Sequence, residues 1–128
     1  DARARFATPE RLPSADEIVI GWPDEALPRI GLDARTAVVA LSHDPKIDDP
    51  ALISALGSDA FYVGALGSKQ THAKRVERLR QAGITDADIE RIHAPIGLDI
   101  GAQGSAEIAL SIIAEIMAAR PTLPDRAL

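Results

Sequence analysis

The sequence predicts an α/β fold in three layers, a parallel sheet covered by helices on both faces. Two patterns carry that expectation. Short, continuous apolar runs alternate with helical segments, which is how strands buried on both faces and joined by right-handed crossovers read. The composition supplies a core of the right kind: 46% apolar and 26% charged residues in a 128-residue chain. That length fits one domain spanning 1–128, able to bury roughly two-thirds of its unfolded surface.

Taken in order, the opening DARARFATPERLPSADE is irregular and punctuated by proline. Glu17–Trp22, EIVIGW, reads as a short buried strand stopped by Gly21 and Pro23. The following PDEALPRIGLDAR is expected to be helical for one turn at most, because Pro28 interrupts it. Thr36–Ser42, TAVVALS, is the next strand. In the helix after it, Asp49 is placed as N-cap, Pro50 at the first position and Gly57 at the end. Ala60–Leu66, AFYVGAL, is a third strand. The loop Gly64-Ala65-Leu66-Gly67-Ser68 leads into a helix with the apolar stripe Ala73, Val76, Leu79 and Ala82, closed by Gly83. Thr85 with Asp88 three residues on opens another helix by a capping-box pattern. HAPIGLDIGAQG has room for a short strand near Ala94–Ile96, and the last helix runs from about Ser105 to Ala119 before the tail PTLPDRAL.

Charge and residue usage exclude several functions. The net charge is −5 and only four aromatics are present, Phe6, Trp22, Phe61 and Tyr62. A nucleic-acid binder shows a basic surplus and aromatic platforms, so that partner is not expected. No apolar run approaches the ~20 residues of a membrane span. The absence of cysteine removes disulfides, thiolate metal ligands and a thiol nucleophile. With no signal peptide at the start, a cytoplasmic protein is expected.

One segment runs against the average. Residues 68–83 hold Lys69, Lys74, Arg75, Arg78 and Arg80 against Glu77 alone, a balance of +4 inside an acidic chain. In a parallel sheet ligands bind beyond the carboxyl ends of the strands. That topology gathers His43, Asp44, Ser68, Lys69, Thr71 and His72 on one edge with Gly64 and Gly67. Polar, turn-rich loops are also what any such edge carries, and that reading weighs somewhat more than a site. Glycine lets backbone approach a ligand, and a helix start directs free N–H groups and its positive dipole end at it. The segment GALGSKQTH therefore suits an anion, a phosphate or pyrophosphate. It matches neither the P-loop nor the dinucleotide fingerprint, and Ser68 serves equally well as a helix N-cap. The three histidines are too far apart in sequence for a metal site, and no catalytic constellation is evident.

The last helix adds a different signal. Glu107, Ser111 and Glu115 form one narrow polar stripe, and apolar residues occupy the rest. Such a helix is buried on more than one side, either inside the fold or against another copy of the chain in a homodimer.

Three stretches together, FYVGALGSKQTHAKRVERL, IHAPIGLDIGAQGSAEIALSIIAEIMA and LSHDPKIDDPAL, resemble the carboxy-terminal domain of the XdhC/CoxI family. These are accessory proteins for maturing xanthine dehydrogenase, carbon monoxide dehydrogenase and related molybdenum hydroxylases. The resemblance covers nearly the whole chain. It implies a Rossmann-like domain that binds or hands over the molybdenum cofactor, a phosphate-bearing pterin, to a molybdenum hydroxylase apoenzyme without itself being a catalyst. Two departures stand out. The family's opening strand and G-x-G loop are absent, and Gly104-Ser105 stands where Thr-Pro is frequent. The expected cofactor-binding set is Gly64, Gly67, Ser68, Lys69, Thr71, His72, Arg75 and His43, with Asp1 at the position where dinucleotide-binding domains keep a ribose-holding carboxylate. Without the first strand, a second chain or fragment is expected to complete the sheet, and NAD(P) binding to belong only to the complete domain; an NAD(P)-binding oxidoreductase domain is the competing reading.

Overall fold

The computed structural model describes residues 1–121, and the expected tail lies almost entirely outside them. Its elements are α1 (Pro23–Ile30), β1 (Ala37–Ala40), α2 (Pro45–Leu56), β2 (Tyr62–Ala65), α3 (Lys69–Gln81), α4 (Asp86–Ile89), β3 (Ile92–His93) and α5 (Gly104–Ala119). The three strands pair in the order β1-β2-β3, all parallel, with Val38 opposite Val63 and Val63 opposite Ile92. No described helix is long and apolar enough to cross a membrane.

Alternation along the strands sorts the side chains onto two faces. Val38, Ala40, Val63 and Ala65 meet Leu52, Ala55 and Leu56 of α2 and Leu79 of α3 in one core. Tyr62, Ala37 and Val39 meet Ile96 and α5's Ile108, Ile112 and Ile116 in the other. Helices thus cover both faces, the three-layer arrangement expected, and all of β2 is buried.

Several boundaries differ from expectation, and β1 and β2 are shorter than the runs Thr36–Ser42 and Ala60–Leu66. Glu17–Trp22 is not a strand. It pairs only at its end, where the Asp1 amino group donates to Val19 O and Gly21 N donates to Asp1 O, and Ile20 stays 58% exposed. A strand with one partner residue has no sheet to be buried in. Pro28 does not stop α1 after one turn. A proline at the sixth position removes one bond, yet the final turn still closes through Gly31 N to Leu27 O. The helix after β1 begins at Pro45, because the Asp44 carboxylate accepts from Lys46 N and caps it there; Pro50 lies inside. Finally, β3 sits two residues earlier than expected, set by pairing with Val63 and Gly64. Ser68, by contrast, caps α3 and Thr85 caps α4, both through their hydroxyls.

Candidate functional site

Parallel pairing puts the ends of the three strands on one edge, and Leu66 N donating to Ala40 O holds the first two together there. From that edge rise the turn at 42–44, the turn at 66–68 and the segment 94–103. Between the last two lies a cavity of about 410 Å³. Leu66, Pro95, Ile96, Leu98 and Ile108 make its walls largely apolar, and Lys69 and Asp99 are the charged residues that line it.

Of the expected residues only Lys69 lines this cavity. Gly64 is inside β2, not in the loop. A Cβ there would lie 2.6 Å from Ile96 Cδ1, so its missing side chain serves core packing, not ligand approach. Gly67 turns the chain with φ +136°, and Ser68 Oγ then accepts from Thr71 N at 3.1 Å and pairs with Thr71 Oγ1 at 3.0 Å. Lys69 is exposed beside them.

Arg75 is not the exposed cation that the basic segment suggested, for it is only 3% exposed. Its Nη2 donates to Leu66 O at 3.0 Å, its Nη1 lies 3.3 Å from His72 Nδ1, and its Nε has no partner. A guanidinium has no acceptor, so His72 Nδ1 accepts and the ring is neutral with its proton on Nε2. Burial first, and then the Arg75 charge, hold His72 below the ordinary histidine value. Burial also pushes Arg75 down, while Asp48 and Asp49 oppose that shift. Two more cations of the basic segment are committed elsewhere, Arg78 to Asp49 at 2.7 Å and Arg80 to Asp86 at 2.8 Å, while Lys74 is exposed.

His43 reaches the same edge by a strained route. It is a non-glycine residue at φ 65°, in a turn held by buried Asp48, whose Oδ1 accepts from Ser42 N at 3.2 Å and Ser42 Oγ at 2.6 Å. Its side chain is exposed. Asp1 stands apart. Both of its carboxylate oxygens are taken by Arg3, at 3.0 and 2.7 Å, and it borders a different cleft of about 440 Å³ along β1. Among the described residues no group of three or more His, Asp or Glu is placed to hold a metal ion.

The element not anticipated as part of the site is the carboxylate of Glu115. Its Oε1 accepts from Tyr62 OH at 2.6 Å and from Gly97 N at 3.1 Å, and His93 Nδ1 lies 3.5 Å away. Gly97 is also pressed on α5, where a Cβ would collide with Ser111 Oγ. The Ser111–Glu115 stripe visible in the sequence is the signal for this anchor, since a polar residue kept on an otherwise apolar helix needs a partner.

A model of the XdhC Rossmann domain matches residues 1–116. Over 89 residues the chain is 37% identical to the molybdenum cofactor insertion chaperone PaoD of Escherichia coli (strain K12), covering 70% of this chain and 28% of that protein. It is 30% identical over 120 residues to a protein of Bacillus subtilis (strain 168) described as a probable subunit of xanthine dehydrogenase, covering 94% and 34%. Among solved structures, a xanthine dehydrogenase from Bacillus halodurans superposes with a TM-score of 0.75 at 31% identity, over 93% of this chain and 33% of that one. The chain therefore spans about a third of the length of these relatives.

Proposed function

The chain belongs to the XdhC Rossmann-domain family, and on that premise we propose that it holds the molybdenum cofactor during maturation or insertion into a molybdenum hydroxylase. The observation that carries this reading is the cavity between the 66–68 turn and Pro95–Ala102. One end offers a cation and a helix start, and the walls are largely apolar, with Asp99 and Ser111 as their polar members. Those features suit a planar pterin with a phosphate, and about 410 Å³ lies within the usual range for a small-molecule site. The chain has no cysteine, so its residues fit the organic and phosphate parts of the cofactor and supply no thiolate for the metal. When bound, the cofactor supplies the molybdenum chemistry that the receiving enzyme uses. Lys69 and the start of α3 orient the anionic end, and Leu66, Ile96 and Leu98 exclude water from the ring. The protein acts as a carrier in the cytoplasm, with no catalytic residue of its own.

The partners follow from two surfaces. Leu110, Ile113 and Met117 leave an exposed apolar stripe on α5, suited to a second copy or the apoenzyme. The cleft along β1 suits a strand from another chain or fragment. An NAD(P)-binding reading is favoured only by the place of Asp1 on that cleft, and Arg3 already occupies its carboxylate. Gel filtration of the chain with molybdenum cofactor and, separately, with NADPH tests the choice. Co-elution with the cofactor alone is expected, and co-elution with NADPH alone replaces this reading by the second.

A further inference from the structure

We propose that the 66–68 turn and the first turn of α3 form a phosphate site whose fixed underlying charge is Arg75. The ligand class is the phosphate dianion, free or as a monoester; the reading above is used only to name a pterin as one carrier of it.

Helix α3 has 13 residues, and its start is only partly satisfied by the chain. The Ser68 hydroxyl takes Thr71 N and the Ser68 carbonyl takes His72 N, but the amides of Lys69 and Gln70 have no acceptor among the described residues. Free first-turn amides are common and by themselves specify nothing. The second observation is what lies beneath them. Arg75 is 3% exposed, its Nε is unpartnered, and its Nη2 lies 3.8 Å from where a Cβ of Gly67 would stand. Burying a cation without a hydrogen-bonded counter-ion is costly. Asp48 and Asp49 oppose this charge through space, but neither carboxylate is hydrogen-bonded to it: Asp48 accepts from Ser42 and Asp49 from Arg78. The guanidinium instead grips Leu66 O, the carbonyl just before the turn, and so sits against the turn that opens α3. Lys69 adds a second, mobile cation at the rim. Neutral His72 adds no third charge near pH 7. A small dianion is what such a shell favours over a chloride or a monocarboxylate.

The probe is inorganic phosphate, titrated into the isotope-labelled chain and followed by NMR, with sodium chloride at matched ionic strength as control. Gly67–Gln70 amides are expected to shift together and saturably with phosphate only. Two variants at one position separate the amide from the ammonium. Lys69→Ala removes the ammonium. Lys69→Pro also removes the amide, and the helix start accepts it because proline suits the first helical position and Ser68 is already extended at ψ 169°. Lys69→Pro is expected to bind phosphate about ten-fold more weakly than Lys69→Ala, the loss of one charge-assisted bond. Equal affinities, or amide shifts that chloride reproduces, overturn the site. Molybdenum cofactor and a pterin lacking phosphate form the remaining arms. Phosphate binding without cofactor uptake keeps the site and removes the cofactor reading, whereas cofactor uptake without the amide shifts does the reverse.

Discussion

The Tyr62 hydroxyl donates to Glu115 Oε1 at 2.6 Å, joining the centre of the sheet to α5 across 53 residues of chain. The same oxygen accepts Gly97 N, so one carboxylate sets both the helix packing and the position of a cavity wall. His93 lies flat against the Tyr62 ring, 4.5 Å between centroids and 18° between planes, with Nδ1 toward Glu115. Burial and the adjoining carboxylate push the Tyr62 phenol above its usual value, which keeps it a donor throughout the physiological range.

Tyr62→Phe removes the shortest of these bonds and leaves the partly buried Glu115 carboxylate with a weaker set of donors. A loss of about 1–3 kcal/mol is expected, the usual result of stranding a buried polar partner. Glu115→Gln keeps an acceptor oxygen and loses less, while Glu115→Ala loses more because Gly97 N is stranded as well. Urea unfolding of the three variants checks the order; an ordering in which Gln is the worst contradicts it.

The layer arrangement is legible in the sequence because strands covered on both faces, such as YVGA and AVVA, have nowhere to place a polar residue. The cap at Ser68 is legible because a hydroxyl before a helix has one main use. Buried Arg75 is not legible. A residue three positions before Arg78 on a charged helix looks solvated, and only the fold shows Leu66 O and His72 turning it inward. Gly64 misleads in the opposite sense, since glycine is the same letter whether it admits a ligand or the Ile96 side chain. The sequence marks Glu115 as exceptional without naming its partners, because Tyr62 and Gly97 become its neighbours only after folding.

The contrast between two cations follows. Lys69 is exposed at the rim of its cavity, so Lys69→Ala is expected to change stability by about 0.5 kcal/mol or less. Arg75→Ala removes a buried side chain and strands Leu66 O, with an expected cost of about 3 kcal/mol. Thermal melts of both variants decide the matter. Equal, small effects would place Arg75 on the surface, as the charge pattern alone suggested.

His72 gives a pH signature. Its folded value is held below the ordinary 6.5, so the unfolded chain binds the proton more readily. Stability from this group is therefore complete above pH 6.5 and falls as pH drops from there toward the folded value. His72→Gln is expected to flatten the stability profile below about pH 6.5 relative to the parent chain. A profile unchanged by the substitution would mean that burial and Arg75 do not disfavour the charged ring.

The exposed stripe on α5 makes an assembly prediction. Leu110, Ile113 and Met117 are 62%, 54% and 56% exposed, and their spacing places them along one side of the helix. Burying such a stripe against a second copy gives a dimer that dissociates when Ile113 becomes charged. Sedimentation at micromolar concentration is expected to show a dimer for the parent and a monomer for Ile113→Glu. A monomeric parent assigns the stripe to another partner.

The last prediction concerns the open side of the sheet. Thr36 O and Ala40 O accept from Phe61 N and Leu66 N, so the even positions of β1 face β2. By alternation, the backbone groups of Ala37, Val39 and Leu41 face the other way, into the cleft of about 440 Å³ that Asp1, Val19 and Gly21 border opposite. An unpaired parallel edge with apolar walls, Leu27, Ile47 and Ala51 among them, is a template for one more strand. Hydrogen exchange is expected to be fast at the amides of Val39 and Leu41 and slow at those of Val38, Ala40 and Val63 in the chain alone. A polypeptide that completes the sheet should slow Val39 and Leu41 selectively. A dinucleotide should fail to do so, because its pyrophosphate needs the glycine turn that follows such a strand and Asp1 alone cannot supply that hold. Protection of Val39 already present in the isolated chain, or tight NADPH binding by it, would show that the cleft is complete without a further strand.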